Sequence, residues 1–216
     1  MNDQLGRSPF SPPERPLEYW LSSELARVSP ENARSRLREI AGARGTYMGA
    51  WAAGIGTGAE LILLGVFLGL LLGALAPALA LGLLGAALVV LCSVFYVRVR
   101  DRLPNTSRAI IHRGPGSLRQ ALSFLGFIVI TFIVVFAFTA KPTTWEDPSR
   151  LLTLAVVLAF VIGLIVAAIV VPATIMGRAR ESLRRKTQRD ARFRSLLEQD
   201  LATWHDPAGN ASYGPL

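Results

Sequence analysis

Glu60 is the residue whose type and setting first suggest chemistry. It borders a stretch, Leu61 to Val97, without a single charged side chain, and a second such stretch runs from Leu151 to Gly177. An ionisable group in lipid is expensive, and it marks transport, proton carriage or pairing with another charge. Thr57 precedes Glu60 by about one helical turn. Ser93, Ser123 and Thr174, with Cys92 beside Ser93, fall at similar depth on the other apolar segments. Together they form a candidate polar layer that could carry a proton or cation, or receive a partner's arginine. The competing expectation is an acid near the interface, roughly 6 Å inside the boundary, wetted or paired with Arg98 or Arg119.

A second pattern is a stripe of small residues. Gly54, Gly58, Gly65, Gly69 and Gly73 recur at helical spacing, and Ala155, Ala159, Gly163 and Ala167 repeat every four positions further along. Small residues at this spacing let helix backbones approach closely in a bilayer. The spacing leaves open whether the packing is within one chain or between chains.

The third pattern is basic. Arg98, Arg100 and Arg102 follow one apolar run, and Arg178, Arg180, Arg184, Arg185 and Lys186 follow another. Such clusters can hold anionic lipid head groups, at about 1 kcal/mol per residue near the surface, or a partner. Membrane insertion alone also accounts for them, since basic residues accumulate on cytoplasmic flanks. For the same reason the net charge of +8 does not call for nucleic acid.

No other constellation is present. Cys92 is the sole cysteine, and His112 and His205 both lie outside the apolar runs. A disulfide, a cysteine-based zinc site and an intramembrane bis-histidine haem are therefore not expected. No phosphate-binding Gly-rich loop, Gly-x-Ser-x-Gly or His-Glu-x-x-His occurs. The expectation is no catalytic residue, no metal and no cofactor, hence no enzyme.

These residues must be positioned by membrane-spanning helices. A span needs about 20 mostly apolar residues, and the expected fold is all-α and polytopic, with four transmembrane helices in two hairpins. The spans are placed near 56–75, 78–97, 120–140 and 151–176, inside a transmembrane domain 48–177. Pro77 is the expected break in the first run, with the turn around Ala74 to Pro77, because proline interrupts helical hydrogen bonding. Pro172 is expected to kink the fourth span. Trp51, Tyr96 and Trp145 read as interfacial anchors.

Flanking elements complete the plan. Residues 1–15 read as a flexible tail, and 16–47 as amphipathic cytoplasmic helices. In the first of these, Leu17, Trp20, Leu21, Leu25 and Val28 share a face. The second is signalled by Ser29-Pro30-Glu31. A basic helix over 178–204 continues the fourth span, with Leu183, Phe193, Leu196, Leu197, Leu201 and Trp204 on one side and an Arg194–Glu198 pair on its surface. Residues 205–216 read as a second flexible tail, whose Asn210-Ala211-Ser212 sequon would not be used in the cytoplasm.

Charge counts orient the chain. The 98–119 segment holds six arginines and one acid, and 178–194 holds eight basic residues and two acids. The 141–150 segment is balanced, and the turn of the first hairpin is uncharged. The positive-inside rule therefore puts both termini in the cytoplasm. Of 23 basic residues only Lys141 and Lys186 are lysines, a bias that points to a bacterial inner membrane. The functional expectation is a non-catalytic accessory, assembly or regulatory subunit, contacting lipids and either other membrane subunits or itself. The alternatives are an oligomeric channel or small transporter using Glu60, and an anionic-lipid-binding membrane organiser.

Overall fold

A computed structural model describes residues 15–30, 34–104, 106, 117–139, 148–205 and 212–216. The expectations for residues 1–14, Glu31, the 141–147 loop with Trp145, and Asn210 and Ala211 lie outside the described residues. The chain is a multi-pass membrane protein: among the described residues, four helices are long and apolar enough to cross a bilayer. They belong to a transmembrane unit, Gly45–Arg100 with Ile111–Arg178. A second, terminal unit gathers Met1–Arg44, Asp101–Ile110 and Ala179–Leu216.

The first span lies in α3, Arg36–Leu72. It ends at Gly73, whose φ of +64° is a left-handed conformation that glycine adopts without penalty. The Ala74 amide donates back to the Leu68 carbonyl at 3.1 Å, closing the helix end. The turn is therefore at Gly73–Ala74, at the near edge of the expected Ala74–Pro77 stretch. Helix α4, Leu75–Arg100, has already begun there, and Pro77 sits in its first turn, where a missing N–H costs no intrahelical bond.

The third span is α5, Leu118–Thr139. The fourth is α6, Pro148–Ile165, followed without interruption by a π-helical segment, Val166–Val170, and by α7, Val171–Gly177. Pro172 lies just beyond the π segment. A proline lacks an N–H and clashes with the carbonyl four residues back, and the wider π turn before it accommodates that defect.

The terminal unit has its own apolar core. Leu17, Leu37, Ile40, Ala41, Leu183, Phe193, Leu197, Leu201, Tyr213 and Leu216 are buried together, with Trp20, Leu21, Leu103 and Trp204 packed against them. Its helices are shorter than expected from sequence. The 16–28 segment divides at Ser22 into α1, Leu17–Leu21, and α2, Ser23–Val28. Val28, expected on the apolar face, is 83% exposed. Helix α3 starts after Ser35 rather than at Ser29-Pro30, because the Ser35 hydroxyl accepts from the Arg38 amide at 3.3 Å. The 178–204 segment breaks at Arg178 and again at Asp190, giving α8, Ala179–Arg189, and α9, Ala191–Thr203. Asp190 caps α9 by accepting the Phe193 amide at 3.1 Å.

Residues 212–216 are not a loose end, as the flexible tail expected over 205–216 would have them. The amides of Arg36 and Leu37 donate to the carbonyls of Ser212 and Tyr213, at 3.0 and 2.9 Å. The Ser35 hydroxyl donates to the Pro215 carbonyl at 2.6 Å, and the Leu216 amide to Trp20 at 3.2 Å. These bonds satisfy amide donors that a helix start leaves without partners. Tyr213 and Leu216 are the apolar side chains that anchor the segment in the core.

Candidate functional site

The transmembrane unit is drawn together by glycine, and each contact shows what a side chain would displace. A Cβ on Gly58 would lie 2.7 Å from the Gly85 carbonyl, and one on Gly85 would lie 2.5 Å from the Gly58 carbonyl. Likewise a Cβ on Gly65 would lie 2.7 Å from the Ala78 carbonyl, one on Gly69 3.2 Å from the Ala78 side chain, and one on Gly54 would run into Cys92 Sγ. Four members of the α3 stripe thus pack within the chain against α4. The fifth, Gly73, forms the turn and meets nothing within 4 Å.

A different face of α3 meets the fourth span. Gly56, outside the expected stripe, faces Ala167 in the π segment, its virtual Cβ 2.7 Å from the alanine methyl. One turn further along α3, the Glu60 carboxyl group lies against Gly163. A Cβ on Gly163 would come 2.1 Å from Glu60 Oε1 and 2.6 Å from its Cδ. Only the missing side chain at 163 leaves room for the acid. Ala155 and Ala159, on the same repeat as Gly163, are exposed.

The revised turn also moves Glu60 inward. Counting back about 20 residues from Leu72 places the opposite limit of the first span near Ala53. Glu60 is then roughly 10 Å inside the apolar layer, deeper than the single turn expected from sequence. Glu60 lies twelve residues before Leu72 and Gly163 twelve residues after Leu151. Two antiparallel helices with those ends level bring these residues to one depth, as their contact requires.

The expected polar layer is not assembled. Among the described residues no hydrogen bond joins Glu60 to Thr57, Ser93, Ser123 or Thr174. Thr174 donates to its own helix, to the Val171 carbonyl at 2.6 Å, and Ser123 is exposed. No ion pair to Glu60 from Arg98 or Arg119 is found among the described residues. Arg98 instead stands over the Phe95 ring at 5.6 Å, and that ring stacks on Trp51 at 4.7 Å.

The basic candidates divide into two groups. Arg98, Arg100, Arg102, Arg178 and Arg180 are exposed. Arg184, Arg185 and Lys186 form ion pairs within the terminal unit, although Arg185 is itself exposed. Arg184 donates to the Leu21 carbonyl at 2.8 Å and pairs with Glu181 at 3.3 Å, and Arg185 pairs with Glu181 at 2.8 Å. Lys186 bridges Asp190 at 2.6 Å and Asp101 at 2.9 Å. Its hydrogen bond to Asp190, and then that to Asp101, raise the Lys186 pKa above the ordinary lysine value. The same bond from Lys186, and then the Phe193 amide, lower that of Asp190. Arg44 is buried and lies 5.3 Å from the centre of the Phe193 ring, an interaction that steadies a cation away from water. The Arg194–Glu198 pair forms as expected, at 2.9 Å.

The terminal unit also holds a cleft of about 360 Å³ between α1, α2, α8 and α9, bordered by Leu17, Glu18, Arg184, Thr187 and Arg194. Glu18 pairs with Arg194, so the cleft's charges are largely matched by one another.

No protein-family model, curated protein or solved structure matches this chain. The functional reading therefore rests on its own residues.

Proposed function

We propose that the chain is a non-catalytic accessory, assembly or regulatory subunit of a larger membrane protein complex. In this reading it lies in a bacterial inner membrane with both termini in the cytoplasm. The observation that supports it is Glu60: a carboxyl group within a span, seated on Gly163, in a chain whose spans supply no basic side chain. Charged groups at such depth are stabilised by pairing, and a complementary subunit is the simplest source of the missing charge. The apolar faces of the terminal helices do not bear on this reading, because they cover one another in a buried core.

The test is isolation of the tagged chain in mild detergent, with identification of what accompanies it. Reproducible recovery of unrelated membrane subunits, weakened by Glu60→Gln, supports the proposal. Recovery of this chain alone as a defined oligomer refutes it.

A second reading, an oligomeric channel or small transporter, draws on the π-helical segment beside the Glu60 contact, since such segments recur at functional sites. It requires ion or solute flux in liposomes that Glu60→Gln alters. A lipid-organising role is less favoured, because Arg184, Arg185 and Lys186 already have partners within the chain.

A further inference from the structure

We infer that the partner docks along the fourth span, on the face of α6 that carries Ala155, Ala159 and Gly163. The occupant is a transmembrane helix of another subunit bearing an arginine or lysine at the depth of Glu60. This inference rests on the accessory-subunit reading and specifies its site.

Charge complementarity is the first argument. Between Gly45 and Leu72, Leu75 and Val97, Gln120 and Thr139, and Leu151 and Gly177 there is no basic residue, and Glu60 is the one acid. Within these stretches no side chain can neutralise it, and among the described residues it forms no ion pair. Access is the second. The Glu60 carboxyl group reaches across α3 to the backbone of α6 at Gly163 and remains only partly buried. The two positions one and two turns before Gly163 are exposed alanines. They form a shallow track on which a second helix backbone can approach closely, ending at the carboxylate. The small residues of α3 cannot serve, since Gly54, Gly58, Gly65 and Gly69 are already occupied by α4. The third span offers bulk instead: Phe127 is 68% and Ile130 63% exposed.

The experiment places a photo-crosslinking amino acid at Ala159, and separately at Ile130, in the full-length chain in cells. The expected product from position 159, absent from 130, joins the chain to an apolar segment of another protein that contains an arginine or lysine. Ala159→Leu narrows the track without touching the Glu60–Gly163 contact, and Glu60→Gln removes the charge without changing shape. Each is expected to lower recovery of that partner by about tenfold or more, the scale set by stranding a basic group in lipid. The captured protein's basic residue changed to glutamate is expected to restore pairing with Glu60→Arg. Partners that copurify undiminished with both variants, or that crosslink from 130 instead, overturn the docking site and leave the accessory reading standing. A chain that recovers no partner at all overturns both.

Discussion

Replacing Gly85 by alanine is the sharpest test of the packing that holds the first hairpin. The added Cβ would sit 2.5 Å from the Gly58 carbonyl oxygen, 2.8 Å from Ile62 Cγ1 and 3.0 Å from the Ile62 amide nitrogen. Ordinary contact begins at 3.4 Å, so α3 and α4 must separate locally by about 0.9 Å. Two of the three obstacles are backbone atoms and cannot swing away. Overpacking of this kind costs about 1–3 kcal/mol, offset by up to about 1 kcal/mol from the better helix propensity of alanine. The net expectation is a loss of about 1–2 kcal/mol. Gly82→Ala, three residues away with nothing within 4 Å of its virtual Cβ, is the matched control and is expected to be neutral or slightly stabilising. Unfolding of the purified chain by titration with a denaturing detergent, followed by circular dichroism, reads the difference. Equal midpoints for the two variants would refute the inference that α3 and α4 touch through Gly58 and Gly85.

Further predictions concern the terminal unit. Phe193 is 1% exposed, and Phe193→Ala is expected to cost about 3–5 kcal/mol, measured as earlier proteolysis of the 179–216 region. Tyr213→Ala should release residues 212–216 and raise hydrogen exchange at the Arg36 and Leu37 amides, which those residues cap. The Lys186–Asp190 bridge gives a pH signature. Asp190 has a lowered pKa, so its contribution is present above the ordinary carboxylate range and is lost as pH falls through the folded value. Lys186 has a raised pKa, so its contribution is present below the ordinary lysine range and is lost as pH rises through the folded value. Asp190→Asn, which keeps the cap, should therefore differ from wild type by a constant amount between about pH 5 and 9, and the gap should close in acid. A gap independent of pH down to about 2 would argue against the bridge.

Much of this architecture was legible in the sequence because lipid imposes a simple length rule. Two charge-free runs and a third apolar segment were enough to place four spans. The hairpin turn falls at the near edge of the expected Ala74–Pro77 stretch for a physical reason. Proline is a strong breaker inside a helix but harmless in a first turn, and the left-handed conformation at Gly73 cannot be distinguished from the other glycines by spacing. Asp190, by contrast, was a readable cap inside a segment taken as one helix.

The site was legible residue by residue but not as a constellation. Glu60 stood out from its type alone. Its seat on Gly163 depends on which face of α3 meets the fourth span, and repeats of four residues do not settle that. The same repeats led to Gly54 and Gly58, while Gly56 and Gly85 make equally close contacts. Docking of residues 212–216 rests on contacts nearly the whole chain apart, between Ser35 and Pro215 among others, and local pattern carries no trace of such pairs.

We propose that this chain works as part of a larger membrane assembly through the charge at Glu60. The most direct measurement is the mass of the particle containing it, extracted into lipid nanodiscs from cells expressing wild type or Glu60→Gln at native level. The wild-type particle is expected to carry at least one other membrane subunit, and the Glu60→Gln particle to be reduced towards the 23.4 kDa chain alone. Particles containing only copies of this chain in both cases would contradict it.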